Sequence, residues 1–129
     1  MLIFMPYTVE PEKKHAKAYG NNMRISTKSS VKLSRFIRGK KLTVAKRFLD
    51  DMILERRNLN GKYYTKTVEQ FSKLLNSCEK NADNIGLEKS RLFVHASAHK
   101  GQMLRRRRRK AGFGSKMKST NLEIMLIER

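Results

Sequence analysis

The sequence predicts an α+β fold in which three helices pack on a small antiparallel sheet of about three strands, with a long protruding β-hairpin. Apolar residues recur at helical spacing in three stretches between Ser26 and Asn84, and the period changes to two from Arg91 onward. Five consecutive arginines, Arg105–Arg109, lie between two predicted strands. With 129 residues, 39% of them hydrophobic, and no long linker, we expect one domain spanning residues 1–129.

The N-terminal region, residues 1–15, has two prolines and no periodicity, which predicts an extended arm. The apolar run Met1–Met5 is too short for a signal peptide, and Met5 is an alternative start residue. Ala16–Ile25 follows as an irregular edge strand. The globular body is expected to comprise residues 16–100 and 119–129, and the basic hairpin residues 101–118.

Two amphipathic helices come next. Ser26 or Thr27 caps a first helix that ends near Arg38, before Gly39. Its packing side is predicted to hold Leu33, Phe36 and Ile37, and its solvent side Lys28, Lys32 and Arg35. Thr43 is expected to cap a second helix whose apolar half comprises Val44, Ala45, Phe48, Leu49, Met52 and Ile53.

A third helix is predicted to begin near Thr65 or Thr67, where Thr67 and Gln70 have capping-box spacing, and to end near Asn84, before Gly86. Its packing stripe is Val68, Phe71, Leu74, Leu75, Cys78 and Ala82. Cys78 belongs to that stripe, and the chain has no second cysteine, so we interpret it as a small buried apolar residue in a reducing compartment.

Two stretches near the C-terminal end alternate with the period of a strand. Leu92, Val94, Ala96 and Ala98 share one face, and Leu122, Ile124 and Leu126 share one face of an antiparallel partner. The segment between them is long enough to extend the hairpin by about nine residues per arm, or about 30 Å beyond the body.

The charge balance indicates a polyanionic partner. Lys and Arg number 30 against 11 acidic residues, a net charge of +19, and no acid lies between Lys100 and Lys118. Adjacent cations repel one another, so an ordered hairpin requires a dense array of anions, which nucleic-acid phosphates supply. We therefore predict that nucleic acid is contacted by Arg24, Lys28, Lys32, Arg35, Arg38, Lys40, Lys41, His99, Lys100, Arg105, Arg106, Arg107, Arg108, Arg109, Lys110, Lys116 and Lys118.

Other chemistry has little support in the sequence. No nucleophile has a base beside it, so we predict that the chain is not an enzyme, and no cofactor motif is complete. On a strand, His95 and His99 lie roughly 13 Å apart, which disfavours a metal site. His99 is expected to stack on a base or donate to phosphate, whereas His95 has a structural role. No apolar run approaches the roughly 20 residues that span a bilayer.

Several alternatives remain open. The arginine run is also compatible with a disordered solvated segment or a nuclear-localisation-like patch, and the basic face of the first helix with an ordinary solvated surface. At the level of function, the alternative is a basic architectural DNA-binding protein or RNA chaperone, and a module for acidic proteins or anionic lipids is a third reading.

The order of elements resembles the large-subunit ribosomal protein family numbered twenty-two in bacteria and seventeen in archaea and eukaryotes. The resemblance rests on Arg24-Ile25-Ser26, Ile37-Arg38-Gly39-Lys40-Lys41, Asn81-Ala82 with Gly86-Leu87, and Arg108–Gly114 followed by Leu122-Glu123-Ile124. Ser97-Ala98-His99-Lys100-Gly101 is similar to the archaeal branch. The loop 58–64 is shorter than the insertion that archaeal relatives usually carry between the second and third helices.

This resemblance implies a structural component of the cytoplasmic ribosome. Its partners would be ribosomal RNA of the large subunit, neighbouring ribosomal proteins and, at the hairpin tip, the nascent polypeptide. The hairpin would then line the polypeptide exit tunnel, with its tip formed by Arg108, Arg109, Lys110, Ala111, Gly112, Phe113 and Gly114.

Overall fold

The computed structural model of the chain describes residues 13–105 and 114–128. In chain order the elements are β1 (His15–Met23), α1 (Thr27–Ile37), α2 (Leu42–Ile53), α3 (Thr65–Ile85), β2 (Leu92–Lys100), β3 (Leu104–Arg105), β4 (Lys116–Met117) and β5 (Thr120–Glu128). A short 3-10 turn, Lys89–Arg91, precedes β2. The predicted α+β class, with three helices and a three-stranded antiparallel sheet, is confirmed.

The main sheet has the order β1-β5-β2, with both neighbours antiparallel to the central strand β5. Ile124 of β5 lies between Ala96 of β2 and Ala18 of β1. The predicted pairing of the last two long strands is therefore confirmed. The predicted irregular edge strand is β1, which has a register shift between Gly20 and Met23.

The helices pack on one face of this sheet. α1 contacts β2, α3 contacts β1 and β5, and α2 packs against α3. Phe71 and Leu75 of α3, Leu33 of α1 and Leu49 of α2 are almost completely buried in one hydrophobic core. This core explains how a chain of such high charge maintains a rigid base for its hairpin.

Both predicted caps of the later helices are wrong. α2 begins at Leu42 after Lys41, so Thr43 lies inside its first turn. α3 begins at Thr65 after Tyr64, and Thr67 is a buried residue within the helix instead of its capping residue. By contrast, the Ser26 hydroxyl accepts a hydrogen bond from the Ser29 N–H and caps α1 as predicted.

Two residues assigned to packing faces are exposed instead. Phe36 is 36% exposed and Val44 is 47% exposed. Their helices meet at this edge, where the Phe36 ring packs against the buried Phe48 with 4.3 Å between ring centroids. The helical period placed these residues at the boundary of each apolar stripe, where neighbouring elements decide which side chain is covered.

The hairpin continues from β2 and β5 after an irregular section. Leu104 pairs with Met117 and Arg105 with Lys116 in a separate two-stranded ladder. The predicted basic hairpin is therefore present at its base, whereas its calculated length rests on residues 106–113, outside the described part of the chain. Among the described residues, no helix combines the length and apolarity needed to cross a bilayer.

Candidate nucleic-acid interface

Acidic residues are absent from two long segments that the fold brings together. No Asp or Glu occurs in residues 13–49 or 89–122, and these segments include α1 and β2, which pack against each other. The cations of both segments therefore share one acid-poor region of the molecule. We call this the basic region; it comprises residues 24–41, 99–105 and 114–118.

The first helix presents its predicted basic face. Lys28, Lys32 and Arg35 are exposed, whereas Leu33 and Ile37 on the opposite side are buried. None of the three cations pairs with an acidic residue in the described part of the chain. The geometry of this face is confirmed, and its contact with phosphate stays a prediction.

Residues after α1 hold the helix against the sheet. Arg38 donates from Nε and Nη2 to the Ala96 carbonyl oxygen at 3.2 and 3.0 Å. Lys40 Nζ lies 4.3 Å from the centre of the Phe36 ring, a cation–π contact, while the neighbouring Lys41 is exposed. Arg38 therefore has a structural role in addition to its predicted contact with RNA.

A cluster of polar contacts fixes the root of the hairpin. The Asn22 Oδ1 accepts from the Gln102 N–H at 2.9 Å and the Ser119 hydroxyl at 3.2 Å. The Gly101 N–H donates to the Ser119 carbonyl at 3.0 Å. A side chain at Gly101 would collide with Ser119 and Asn22, so the close approach requires glycine. Both hairpin arms are thus tied to β1.

The first pairs of the hairpin carry exposed cations. Arg105 Nη1 donates to the Gly114 carbonyl oxygen at 2.9 Å, which links the two arms. Lys116 and Lys118 are exposed on the returning arm. The other candidates of the arginine run and tip lie outside the described residues: Arg106, Arg107, Arg108, Arg109, Lys110, Ala111, Gly112 and Phe113.

His99 lies close to an acidic residue that the sequence analysis did not identify as part of the site. Its Nε2 is 3.5 Å from the Glu123 carboxylate and 3.0 Å from the Ser97 hydroxyl. Glu123 is fully buried on the central strand, whereas His99 is exposed. The carboxylate orients the imidazole at the edge of the basic region, next to the exposed Lys100.

Two neighbouring groups have shifted pKa values. Burial lowers the pKa of His95, and the Arg38 guanidinium lowers it further, against an opposing effect of Glu123. Burial and then the Glu123 charge raise the pKa of Tyr19. A neutral His95 is therefore favoured, which agrees with a structural role.

A cavity with a volume of about 670 Å³ lies at the hairpin root. It is lined by Arg24, Ile25, Ser26, Ser29, Tyr64, Thr65, Lys66, Thr67, Lys116 and Lys118. The sequence analysis identified Arg24, Lys116 and Lys118 but missed Lys66 and Tyr64. These lie far from the basic segments in sequence, and only the packing of α3 brings them to the site.

Residues tested for other chemistry do not form a reactive site. Burial raises the pKa of the Cys78 thiol to about 12, so the thiol is protonated and unreactive at neutral pH. Within residues 13–105 and 114–128, no group of three or more His, Cys, Asp or Glu side chains is placed to hold a metal ion.

The fold and this surface define a class of small, strongly basic α+β proteins with a hairpin anchored to a packed body. The family described as ribosomal protein L22p/L17e matches residues 18–126, and the chain belongs to this family. This confirms the family recognised from the sequence and the prediction that the chain is not an enzyme.

Archaeal relatives support the same assignment. Large ribosomal subunit protein uL22 of Archaeoglobus fulgidus is 36% identical over 120 aligned positions, gaps included, and the alignment covers 78% of this chain and 77% of the relative. The protein of the same name from Thermoplasma acidophilum is 32% identical over 148 aligned positions, covering 99% and 98% of the two chains. That alignment is longer than this chain of 129 residues, so the relative has residues that this chain lacks.

Proposed function

We propose that the protein is a structural constituent of the large subunit of the cytoplasmic ribosome, where it binds ribosomal RNA. The observation that carries this proposal is the basic region, whose exposed cations on α1 and the hairpin have no acidic partners in the described part of the chain. Membership of a ribosomal protein family and the names of the archaeal relatives support it.

The physical mechanism follows from the division between a packed body and a cationic hairpin. The core and the contacts of Asn22 and Gly101 fix the base of the hairpin. Arginine side chains along the arms pair bidentately with phosphates, which removes their mutual repulsion. Ordering of the outer hairpin is then coupled to assembly with RNA.

At the far end of the hairpin, we propose that the tip lines the nascent-polypeptide exit tunnel and contacts the emerging chain. The residues assigned to this tip are Arg108, Arg109, Lys110, Ala111, Gly112, Phe113 and Gly114. Neighbouring ribosomal proteins would contact the body. These finer assignments rest on the family resemblance.

Sedimentation of the endogenous protein in a sucrose gradient tests the proposal. We expect it to co-migrate with large subunits, because many phosphate contacts act together, and persistent co-migration in high salt would identify it as an integral component. With about eight phosphates neutralised, the slope of log affinity for ribosomal RNA against log salt should be about −6 to −7. Free protein at the top of the gradient, or displacement of RNA by bulk duplex DNA, would favour the architectural or chaperone alternative.

A further inference from the structure

We propose that the cavity at the hairpin root binds the phosphate of one unpaired ribonucleotide, whose base stacks against Tyr64. The inference rests on the proposed function and adds a specific site to it. The cavity lies between the N-terminal ends of α1 and α3 and the returning arm of the hairpin, and we call it the root pocket.

The root pocket concentrates positive charge from separate parts of the chain. Arg24 precedes α1, Lys66 lies in the first turn of α3, and Lys116 and Lys118 belong to the hairpin. All four are exposed, and no acidic side chain lines the cavity. Bringing four cations to one concavity is unfavourable without an anion, so the arrangement favours a phosphate group.

The N-terminus of α3 adds donors that point toward the same space. This helix has 21 residues, and no side chain caps its first turn. Its leading N–H groups therefore lack intrahelical partners and carry the positive end of the helix dipole. Tyr64, immediately before the helix, has φ 45° and ψ 42°, an uncommon conformation for an aromatic residue that brings the chain sharply into the helix.

The hydroxyl of Thr67 provides a further hydrogen-bonding group at the pocket. Thr67 lines the root pocket and is only 5% exposed. Its side-chain oxygen is not fully enclosed, because Ser34 Oγ is the only enclosed side-chain nitrogen or oxygen without a partner in the described part of the chain. The hydroxyl is therefore accessible to a group that enters the pocket. A phosphate oxygen in the pocket would accept its hydrogen bond together with those of the helix N–H groups.

The shape of the site selects an unpaired nucleotide. A pocket of about 670 Å³ admits a single extruded nucleotide, whereas a duplex is too broad to enter. Tyr64 is half-buried against the core and lines the pocket, and aromatic side chains of this kind stack on unstacked bases. A smaller adjoining cavity of about 160 Å³ is lined in part by Lys100, Lys116 and Lys118, so the positively charged surface extends toward the hairpin.

The test uses the full-length protein and two RNA hairpins of identical stem sequence, one carrying a single unpaired uridine. Affinities are measured by fluorescence anisotropy over a series of salt concentrations. We expect the wild-type protein to prefer the RNA with the unpaired uridine. The Lys66→Gln variant should bind that RNA about tenfold more weakly, with a salt slope smaller by about 0.7 to 0.9.

Lys73→Gln is the matched control, since Lys73 is also an exposed lysine of α3 and lies outside the pocket. It removes the same charge and should leave the preference for the unpaired uridine unchanged. Thr67→Val tests the hydroxyl in the same way and should weaken binding to the RNA with the unpaired uridine. Thr43→Val on α2 is its control and should leave that binding unchanged. Thermal unfolding of each variant verifies that the fold is retained.

Equal losses for Lys66→Gln and Lys73→Gln would overturn the inference, because the charge would then act only through the overall field. Equal wild-type affinity for the two hairpins would overturn the selection of an unpaired nucleotide. Either result can occur while the wild-type protein still co-sediments with large subunits. Failure of the inference is therefore distinguishable from failure of the proposed function.

Discussion

On α2, α3 and the turn 89–91, the charges of Lys46, Glu79, Asp83 and Lys89 pair with one another, whereas the lysines and arginines of the basic region have no acidic partner in the described part of the chain. Glu79 contacts both Lys46 and Lys89, and Lys89 also lies 3.4 Å from Asp83. On α1, Lys28 and Lys32 have no such partner. We call α2, α3 and the turn 89–91 the paired region. The difference indicates that the paired region contributes to stability and the basic region to binding, so the two properties should respond separately to mutation.

The largest expected effect comes from the hairpin. Replacing Arg105–Arg109 and Lys110 with glutamine removes six cations, so the salt slope of binding to ribosomal RNA should decrease in magnitude by about 4 to 5. Thermal stability of the body should change little, because its core is built mainly from residues of the three helices and the main sheet. Filter binding across a salt series, together with calorimetry, measures both quantities.

The matched control removes six cations around the paired region: Arg56, Arg57, Lys62, Lys73, Lys80 and Lys89. This variant has the same net charge as the hairpin variant. It should nevertheless keep most of the salt slope of binding to ribosomal RNA. If both variants lose the same slope, binding depends on net charge alone and the comparison between the regions fails.

A smaller effect is expected from the exposed face of α1. The triple substitution of Lys28, Lys32 and Arg35 with glutamine should reduce the salt slope by about 2 to 3 if each cation neutralises one phosphate. Because glutamine is a good helix former, α1 should remain folded, as circular dichroism would show. An unchanged slope would mean that this face is an ordinary solvated surface.

The paired region should show the opposite pattern. Hydrogen bonds and charges of Lys46 and Lys89 lower the pKa of Glu79, so its carboxylate stabilises the folded state above the unfolded-state pKa. Glu79→Gln should lower the free energy of unfolding by about 0.5 to 1 kcal/mol near neutral pH. This loss should disappear as the pH falls through the folded-state pKa.

Urea unfolding over a range of pH measures this difference, and Glu69→Gln is the control. Glu69 is an exposed carboxylate on α3 that pairs with no cation in the described part of the chain. Affinity for RNA should not decrease in either variant. A larger effect of Glu69→Gln on stability would contradict the role of the Glu79 cluster.

The sequence predicted most of the fold because its main signals are local. The buried stripe of α3 and the alternation of Leu122, Ile124 and Leu126 follow directly from helical and strand periods. The predictions that were wrong, such as the caps at Thr43 and Thr67, concern element boundaries, where tertiary contacts override local preference. Tyr64 precedes α3 in a left-handed conformation that no local pattern indicates.

For the site, the sequence predicted the basic segments because their cations are consecutive or share a helical face. The residues that contact these segments from distant parts of the chain could not be predicted from the sequence. Arg38 donates to Ala96, fifty-eight positions away, and Lys66 reaches the hairpin root through the packing of α3. Likewise, the buried Glu123 next to His99 depends on strand register, which is fixed only by the assembled sheet.

The smallest expected effect separates His95, which lies beside Arg38 of the basic region, from Glu79 of the paired region by the pH at which each loses its contribution to stability. Burial and Arg38 lower the pKa of His95 in the folded state, so the unfolded chain binds the proton first. Stability linked to His95 therefore decreases as the pH falls below the unfolded-state value of roughly 6.5, whereas that linked to Glu79 decreases only at lower pH.

The His95→Gln variant tests this separation. Between about pH 7.5 and about pH 5.5, the wild-type protein should lose more unfolding free energy than the variant. His15→Gln on the edge strand serves as the control and should follow the wild type. The Glu79→Gln difference should stay constant across this interval, because the carboxylate remains ionised. If His95→Gln and wild type lose equal stability, the proximity of Arg38 does not disfavour a proton on His95, and charge in the basic region is better compensated than the structure indicates.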